Sequence, residues 1–218
     1  MKKNICWGLF ILSMVLYTDY FTFYLCRCRF PFFGLDTILF ANICLFLMIF
    51  LVHNFFYPKN TTDHAQVISY PPMIMLFSAN LSVSFAYIII NPPTLMGYRI
   101  GALAFDGGGL FFMFLSIIII SLAIKQFTNI EEDPNPTTSS KSIIVVGIYN
   151  WTRNPMYLGL IFFQFGLGLV LEFEIISAFS LLTFIIFNYF VVKREEEYLE
   201  RKFGDTYLVY KKKVRRWL

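Results

Sequence analysis

Apolar residues run almost unbroken over long stretches of this chain, and polar residues collect between them. Stretches near 5–25, 35–56, 72–91 and 107–124 each approach the ~20 apolar residues an α-helix needs to cross a ~30 Å hydrocarbon core. A last apolar stretch, 157–192, is interrupted by LEFEI at 171–175. It predicts a hairpin of two spans, 157–171 and 175–192; the first is short, so both five and six spans fit the pattern. The runs lack the alternation of a lipid-facing barrel strand, which leaves helices. The expected fold is an all-α integral membrane protein of five to six transmembrane helices, with a C-terminal helical hairpin and an amphipathic cytosolic tail helix. Residues 1–124 form a scaffold of about four spans, and residues 125–218 hold a loop, the hairpin and the tail.

PPM at 71–73, NPPT at 91–94 and GGG at 107–109 punctuate the spans, as Pro and Gly do at helix ends. NIEEDPNPTTSSKS, 129–142, is the clearest loop. MKKNICWGLFILSMVL imitates a signal peptide, but no small-x-small cleavage site follows, so it reads as the first span. In the tail, Leu199, Phe203, Tyr207, Tyr210, Val214 and Trp217 recur at steps of four and three, one apolar stripe on a helix that Gly204 kinks or interrupts. With Lys and Arg over much of its remainder, such a helix suits a membrane interface.

Composition agrees: 57% of residues are hydrophobic and 15% charged, against about 25% charged in soluble domains. With the N-terminus inside and six spans, all of the 18 Lys and Arg except Arg27, Arg29 and Arg99 fall on the cytosolic side. This puts both termini in the cytosol, and the 125–156 loop on the same face as the tail. Cys6, Cys26, Cys28 and Cys44 form no CxxC and have no His cluster beside them, so a zinc site is not expected. They read as small apolar fillers.

Two polar clusters stand out. GIYNWTRNPMYLG, 147–159, packs Arg, Asn, Pro and aromatic residues just before the hairpin. Pro155 suits the first turn of the following helix, Asn154 suits its N-cap, and Gly159 permits close helix approach. Those roles do not explain Tyr149, Trp151 and Tyr157 together, although interfacial aromatics account for part of it. Glu195, Glu196 and Glu197, just past the last span, repel one another. Lys193, Arg194, Arg201 and Lys202 at helical spacing compensate them, or the carboxylates face a polar cavity and hold a cationic or hydroxyl-rich ligand.

GIYNWTRNPMYLG followed by EEEYLERKFGDTYLVYKKKVRRW resembles the isoprenylcysteine carboxyl methyltransferase and phospholipid methyltransferase families. The shared pattern is G-x-Y, then R-H/N-P-x-Y-x-G, a hairpin, and E-E-x-x-L-x-x-x-F-G-x-x-Y-x-x-Y, matched at its end by Glu195, Glu196, Leu199, Phe203, Gly204, Tyr207 and Tyr210. DPNPTTSSKSIIVVG is similar to the bacterial branch, which implies a bacterial inner membrane. The resemblance covers about residues 125–218. It implies an integral-membrane enzyme that uses S-adenosylmethionine, with a cofactor pocket under the hairpin and closed by the tail. Lys141, Ser142, Ile143, Ile144, Tyr149, Asn154, Pro155, Tyr157 and Glu195 would bind the cofactor, and Arg153 and Glu196 would be catalytic.

Two positions depart from the pattern. Asn154 replaces the usual His and cannot titrate near neutrality. Val191 stands where the prenylcysteine enzymes have an Arg, which speaks against prenylcysteine as acceptor. The resemblance implies a lipid or lipophilic methyl acceptor that arrives from the bilayer, and nucleic acid is not expected as a partner. Methyl transfer would rest on positioning and desolvation, with Glu196 as base if the acceptor is an amine or hydroxyl. An NADPH-dependent reductase of the sterol-reductase type, whose C-terminal region carries a similar R-H-P-x-Y motif, and a non-catalytic lipid-binding protein are the competing readings. The Glu-Glu and Phe-Gly tail favours methyl transfer.

Other polar residues are less specific. Asp19 within the first span is a functional candidate or an interfacial carboxylate. His53 and Asn54 suit a solvated helix end more than a reach into the pocket, and Asp106 suits a helix cap. Asn60 and Asn150 lie in N-x-T sequons on the cytosolic side, where glycosylation is not expected.

Overall fold

The computed structural model describes residues 35–51, 63–67, 69–90, 102–132, 134, 139–171 and 174–218, with the backbone alone for 35–41, 86–90 and 102–106. The expected span 5–25 with Asp19, together with Cys6, Cys26, Cys28, His53, Asn54, Asn60 and the NPPT turn, lies outside the described residues. Among those described, every regular element is helical. The order is α1 (Leu35–Leu51), α2 (Pro71–Ile90), α3 (Ala102–Asn129), a 3-10 turn (Gly147–Asn150), α4 (Pro155–Val170), α5 (Glu174–Ile186), α6 (Lys193–Phe203) and α7 (Asp205–Lys213). A π-helical segment, Phe187–Val192, runs α5 directly into α6.

Two of these are long and apolar enough to cross a membrane: Gly107–Asn129 of α3, and the continuous helix Glu174–Phe203. The α4 helix and the described parts of α1 and α2 are apolar but shorter. Along α3, Leu110, Phe111, Phe114, Ile117 and Leu122 are exposed, the kind of contiguous apolar surface that marks a membrane-facing side.

Small residues let the helices meet. A Cβ on Gly166 would stand 2.6 Å from the backbone oxygen of Gly109, and one on Gly159 2.5 Å from Ile120. Beside that crossing, the Ser116 hydroxyl donates to the Gly159 carbonyl at 2.7 Å, so the close approach expected of Gly159 is present. Gln164, fully buried in α4, ties three helices: it accepts from Thr183 of α5 at 2.6 Å and donates to Ser78 of α2 at 3.5 Å. In an apolar surrounding an unpaired amide would be costly, so these bonds also fix the rotation of the helices.

Two expectations change. GGG 107–109 and Asp106 lie inside α3, not at a helix end; Gly109 serves the packing against α4. The tail is two helices, interrupted at Gly204 as its sequence predicts: this residue takes φ +54 and ψ −129, a conformation open to glycine alone. The apolar stripe does not lie in the interface. Tyr207, Tyr210 and Val214 pack with Ile143, Leu199 and Phe203 on the protein itself, while Trp217 joins the core around Tyr157 and Phe187.

Candidate functional site

The site starts at a glycine. Gly147 has φ +62, and a Cβ there would meet Gln126 at 2.7 Å. The turn it opens buries Tyr149, whose ring meets Phe127 edge-on at 6.0 Å and whose carbonyl accepts from the Tyr210 hydroxyl at 2.8 Å. Burial pushes the Tyr149, Tyr207 and Tyr210 phenols well above their ordinary range, so all three are neutral donors.

Next comes the start of α4. Pro155 is at its first turn, and the Asn154 carbonyl accepts from Leu158 N at 3.1 Å. The Asn154 side chain, however, makes no capping hydrogen bond. Its amide donates to the Arg216 carbonyl at 2.9 Å, and the Thr152 hydroxyl donates to that same oxygen at 3.1 Å. Arg153 N donates to Arg215 O at 3.0 Å. The C-terminal segment is thereby strapped across the entrance of α4, which corrects the expected cap role of Asn154.

The acidic run splits by direction. Glu196 is 4% exposed and turns toward guanidinium groups. Its Oε1 accepts from Arg153 Nη2 at 2.8 Å and Arg216 Nε at 3.1 Å, and its Oε2 from Arg216 Nη2 at 2.7 Å. Glu196, expected as a base, thus lines the cavity with both carboxylate oxygens engaged by guanidinium donors. Arg216 Nη1 and Trp217 Nε1 reach Asn188 Oδ1 in the π segment, at 3.2 and 3.0 Å.

Glu195 turns the other way and accepts a short hydrogen bond from the Tyr157 hydroxyl. At about 1.5 Å per residue, the helix Glu174–Phe203 is about 45 Å long, more than a ~30 Å core requires. Its apolar part ends at Val192, so Glu195 stands in the polar extension. Burial, with a smaller push from Glu196, raises its carboxyl to about 7 even though the Tyr157 hydroxyl works against the shift.

These residues surround one cavity. Ser142, Ile143 and Ile144 form one side, Tyr149 and Arg153–Tyr157 another, and Glu195 and Glu196 a third. Of the residues expected to bind the cofactor or to be catalytic, only Lys141 is away from it; that residue is exposed, with its backbone amide donating to Glu132 at 2.8 Å. Segment 63–67 also contributes, through Ala65. It is fastened to α6 by Arg194 Nη1 to Gln66 O at 2.7 Å, and by Lys202 Nζ to Asp63 at 2.6 Å. Tyr198 links it to the loop, accepting from Ser140 N at 3.1 Å and donating to Asp63 at 3.2 Å.

Sequence reasoning passed over Asn188, Arg216 and segment 63–67. A lone amide within the apolar run 175–192 was a usable signal for Asn188. Arg216 had none, since one basic residue among several in a tail reads as a membrane anchor.

Comparison with known proteins adds to this geometry. Residues 107–206 match the phospholipid methyltransferase family. Over 63 residues, 29% of this chain, it is 43% identical to an uncharacterized protein of Haemophilus influenzae, covering 100% of that protein. Over 80 residues, 35% of this chain, it is 34% identical to the protein-S-isoprenylcysteine O-methyltransferase of Saccharomyces cerevisiae, covering 32% of the yeast enzyme. No solved structure matches the chain.

Proposed function

Because the chain belongs to the phospholipid methyltransferase family, we propose that it transfers a methyl group from S-adenosylmethionine to a lipophilic acceptor held in the bilayer. The observation that carries this reading is the Glu195–Tyr157 pair on a cavity walled by aromatic rings. S-adenosylmethionine would supply an electrophilic methyl on a cationic sulfur. A carboxylate beside tyrosine faces suits such a cation and a ribose diol, so the donor set fits the group.

In this reading, the Ser142–Ile144 strand of loop and Tyr149 bound the donor on one side, and Asn154, Pro155, Tyr157 and Glu195 on the other. Glu195 and Tyr157 orient it. Arg153 and Arg216, locked by Glu196, hold the start of α4 against α6 and keep the two walls at a fixed distance. Ile143, Ile144 and Leu199 exclude water, which favours approach of the reacting groups. With Glu196 engaged, Glu195 is the cavity carboxylate suited to take a proton from an amine or hydroxyl acceptor.

The enzyme would sit in the bacterial inner membrane with five to six spans, both termini and the donor site facing the cytosol. The acceptor would enter sideways from the lipid. The test is transfer of label from S-adenosyl-[methyl-³H]methionine into the lipid fraction of reconstituted vesicles. Transfer by wild type and loss of it in Glu195→Gln support the reading. No transfer into any lipid or lipophilic fraction would sink it.

A further inference from the structure

One wall of the cavity carries a donor that its own residues leave unused. The Arg153 side chain is 7% exposed and lines the cavity. Its Nη1 donates to Lys211 O at 2.9 Å and its Nη2 to Glu196 at 2.8 Å. Its Nε, equally buried, has no acceptor among the described residues. A buried guanidinium N–H without an acceptor is costly and calls for an explanation.

The charges around it point the same way. Arg153, Arg216 and Lys211 gather about Glu196, and Lys211 is shared with Glu200. That sets three cations against two carboxylates. The other carboxylates lining the cavity turn elsewhere: Glu195 accepts from Tyr157, and Glu132 accepts from Lys141 N and the Ser142 hydroxyl. The Arg153 side thus has both a spare positive charge and a spare donor, which an anionic oxygen satisfies together and a cationic sulfonium does not.

We propose that Arg153 reads an anionic oxygen, carboxylate or phosphate, of a molecule bound in the cavity, with Nε–H as the donor. This rests on the donor-site reading above. Two sources offer that chemistry: the amino-acid carboxylate of the methyl donor, and the headgroup of an anionic lipid acceptor.

The experiment is calorimetric titration of detergent-purified full-length protein with four probes. S-adenosylhomocysteine is compared with 5′-methylthioadenosine, which keeps the nucleoside and sulfur but lacks the amino acid. Short-chain phosphatidic acid is compared with short-chain phosphatidylcholine. Wild type is run beside Arg153→Lys, which keeps the charge and loses the Nε–H, and beside Lys212→Gln, an exposed basic control. A loss of about tenfold for S-adenosylhomocysteine in Arg153→Lys, with 5′-methylthioadenosine unchanged, assigns the anion to the donor. The same loss confined to phosphatidic acid assigns it to the acceptor. Equal losses for all four probes mean a purely structural role, and no loss means no contact; either overturns the proposal. Wild type that binds neither adenosyl probe overturns the donor-site reading itself, and the lipid pair then decides the role of Arg153 alone.

Discussion

Arg216, near the end of the chain, covers both oxygens of Glu196: Nε meets Oε1 at 3.1 Å and Nη2 meets Oε2 at 2.7 Å. Hydrogen bonding to Glu196 raises the already high affinity of the guanidinium for its proton. Through its carbonyl, the same residue holds Thr152 and Asn154. One residue of the tail therefore ties the acidic run to the start of α4.

Arg216→Gln should loosen both ties. Its side chain is 32% exposed against 5% for Glu196, so the cost is below that of a fully buried pair, about 1–2 kcal/mol. A lower unfolding midpoint in detergent checks this. Hydrogen exchange should rise at 152–158 and in α6 while α3 and α5 keep their protection. An unchanged midpoint would show that the strap contributes nothing.

Glu195→Gln should stabilise the protein at alkaline pH while weakening donor binding. The folded-state value, raised from 4.5 to about 7, means that the folded chain holds this proton more tightly than the unfolded one. Its contribution to stability is present below pH 4.5 and is lost as pH rises through about 7. Removing the ionisation lifts the unfolding midpoint at pH 8 relative to wild type. Affinity of wild type for the cationic donor should rise across the same pH window and stay flat in the variant. A pH-independent wild type would remove Glu195 from the donor site.

Gly166→Ala should be worse than Gly159→Ala. At Gly166 the new methyl meets backbone oxygen of Gly109, which cannot move without shifting α3. At Gly159 it first meets the Ile120 side chain, which has other rotamers. Overpacking of this kind costs about 1–3 kcal/mol, and thermal unfolding of the two variants side by side gives the order. A larger drop for Gly159→Ala would mean that the α3–α4 crossing is set elsewhere.

Asp63→Asn is the surface counterpart. Lys202 holds the Asp63 carboxyl below its usual range, but the carboxylate is exposed. Stability should change little, while release of S-adenosylhomocysteine should quicken because segment 63–67 loses one of its ties to α6 and keeps that from Arg194 to Gln66. Stopped-flow displacement measures the release rate.

Much of the helical framework was legible because span-length apolar runs have few alternatives in a chain of this composition. The walls of the cavity were legible too. Tyr149, Tyr157 and Glu195 are chemically conspicuous next to apolar runs, and their motifs have a familiar order. The strap was hidden because its bonds run from backbone carbonyls of Arg215 and Arg216 to Arg153 and Asn154, about sixty residues away. Backbone carbonyls leave no mark in a sequence. The engagement of Glu196 was hidden for the same reason, since its two guanidinium partners come from separate segments. The GGG at 107–109 misled because glycine serves close packing inside membrane helices as readily as it ends helices elsewhere.

The donor site is the claim on which the rest depends. Titration calorimetry of detergent-purified protein with S-adenosylhomocysteine and, separately, with NADPH tests it, using wild type, Glu195→Gln and Tyr157→Ala. Saturable binding of S-adenosylhomocysteine, weakened about tenfold or more by either substitution, and no binding of NADPH is the expected result. Binding of NADPH instead, or of neither by protein shown to be folded, would contradict a methyl-donor site at Glu195 and Tyr157.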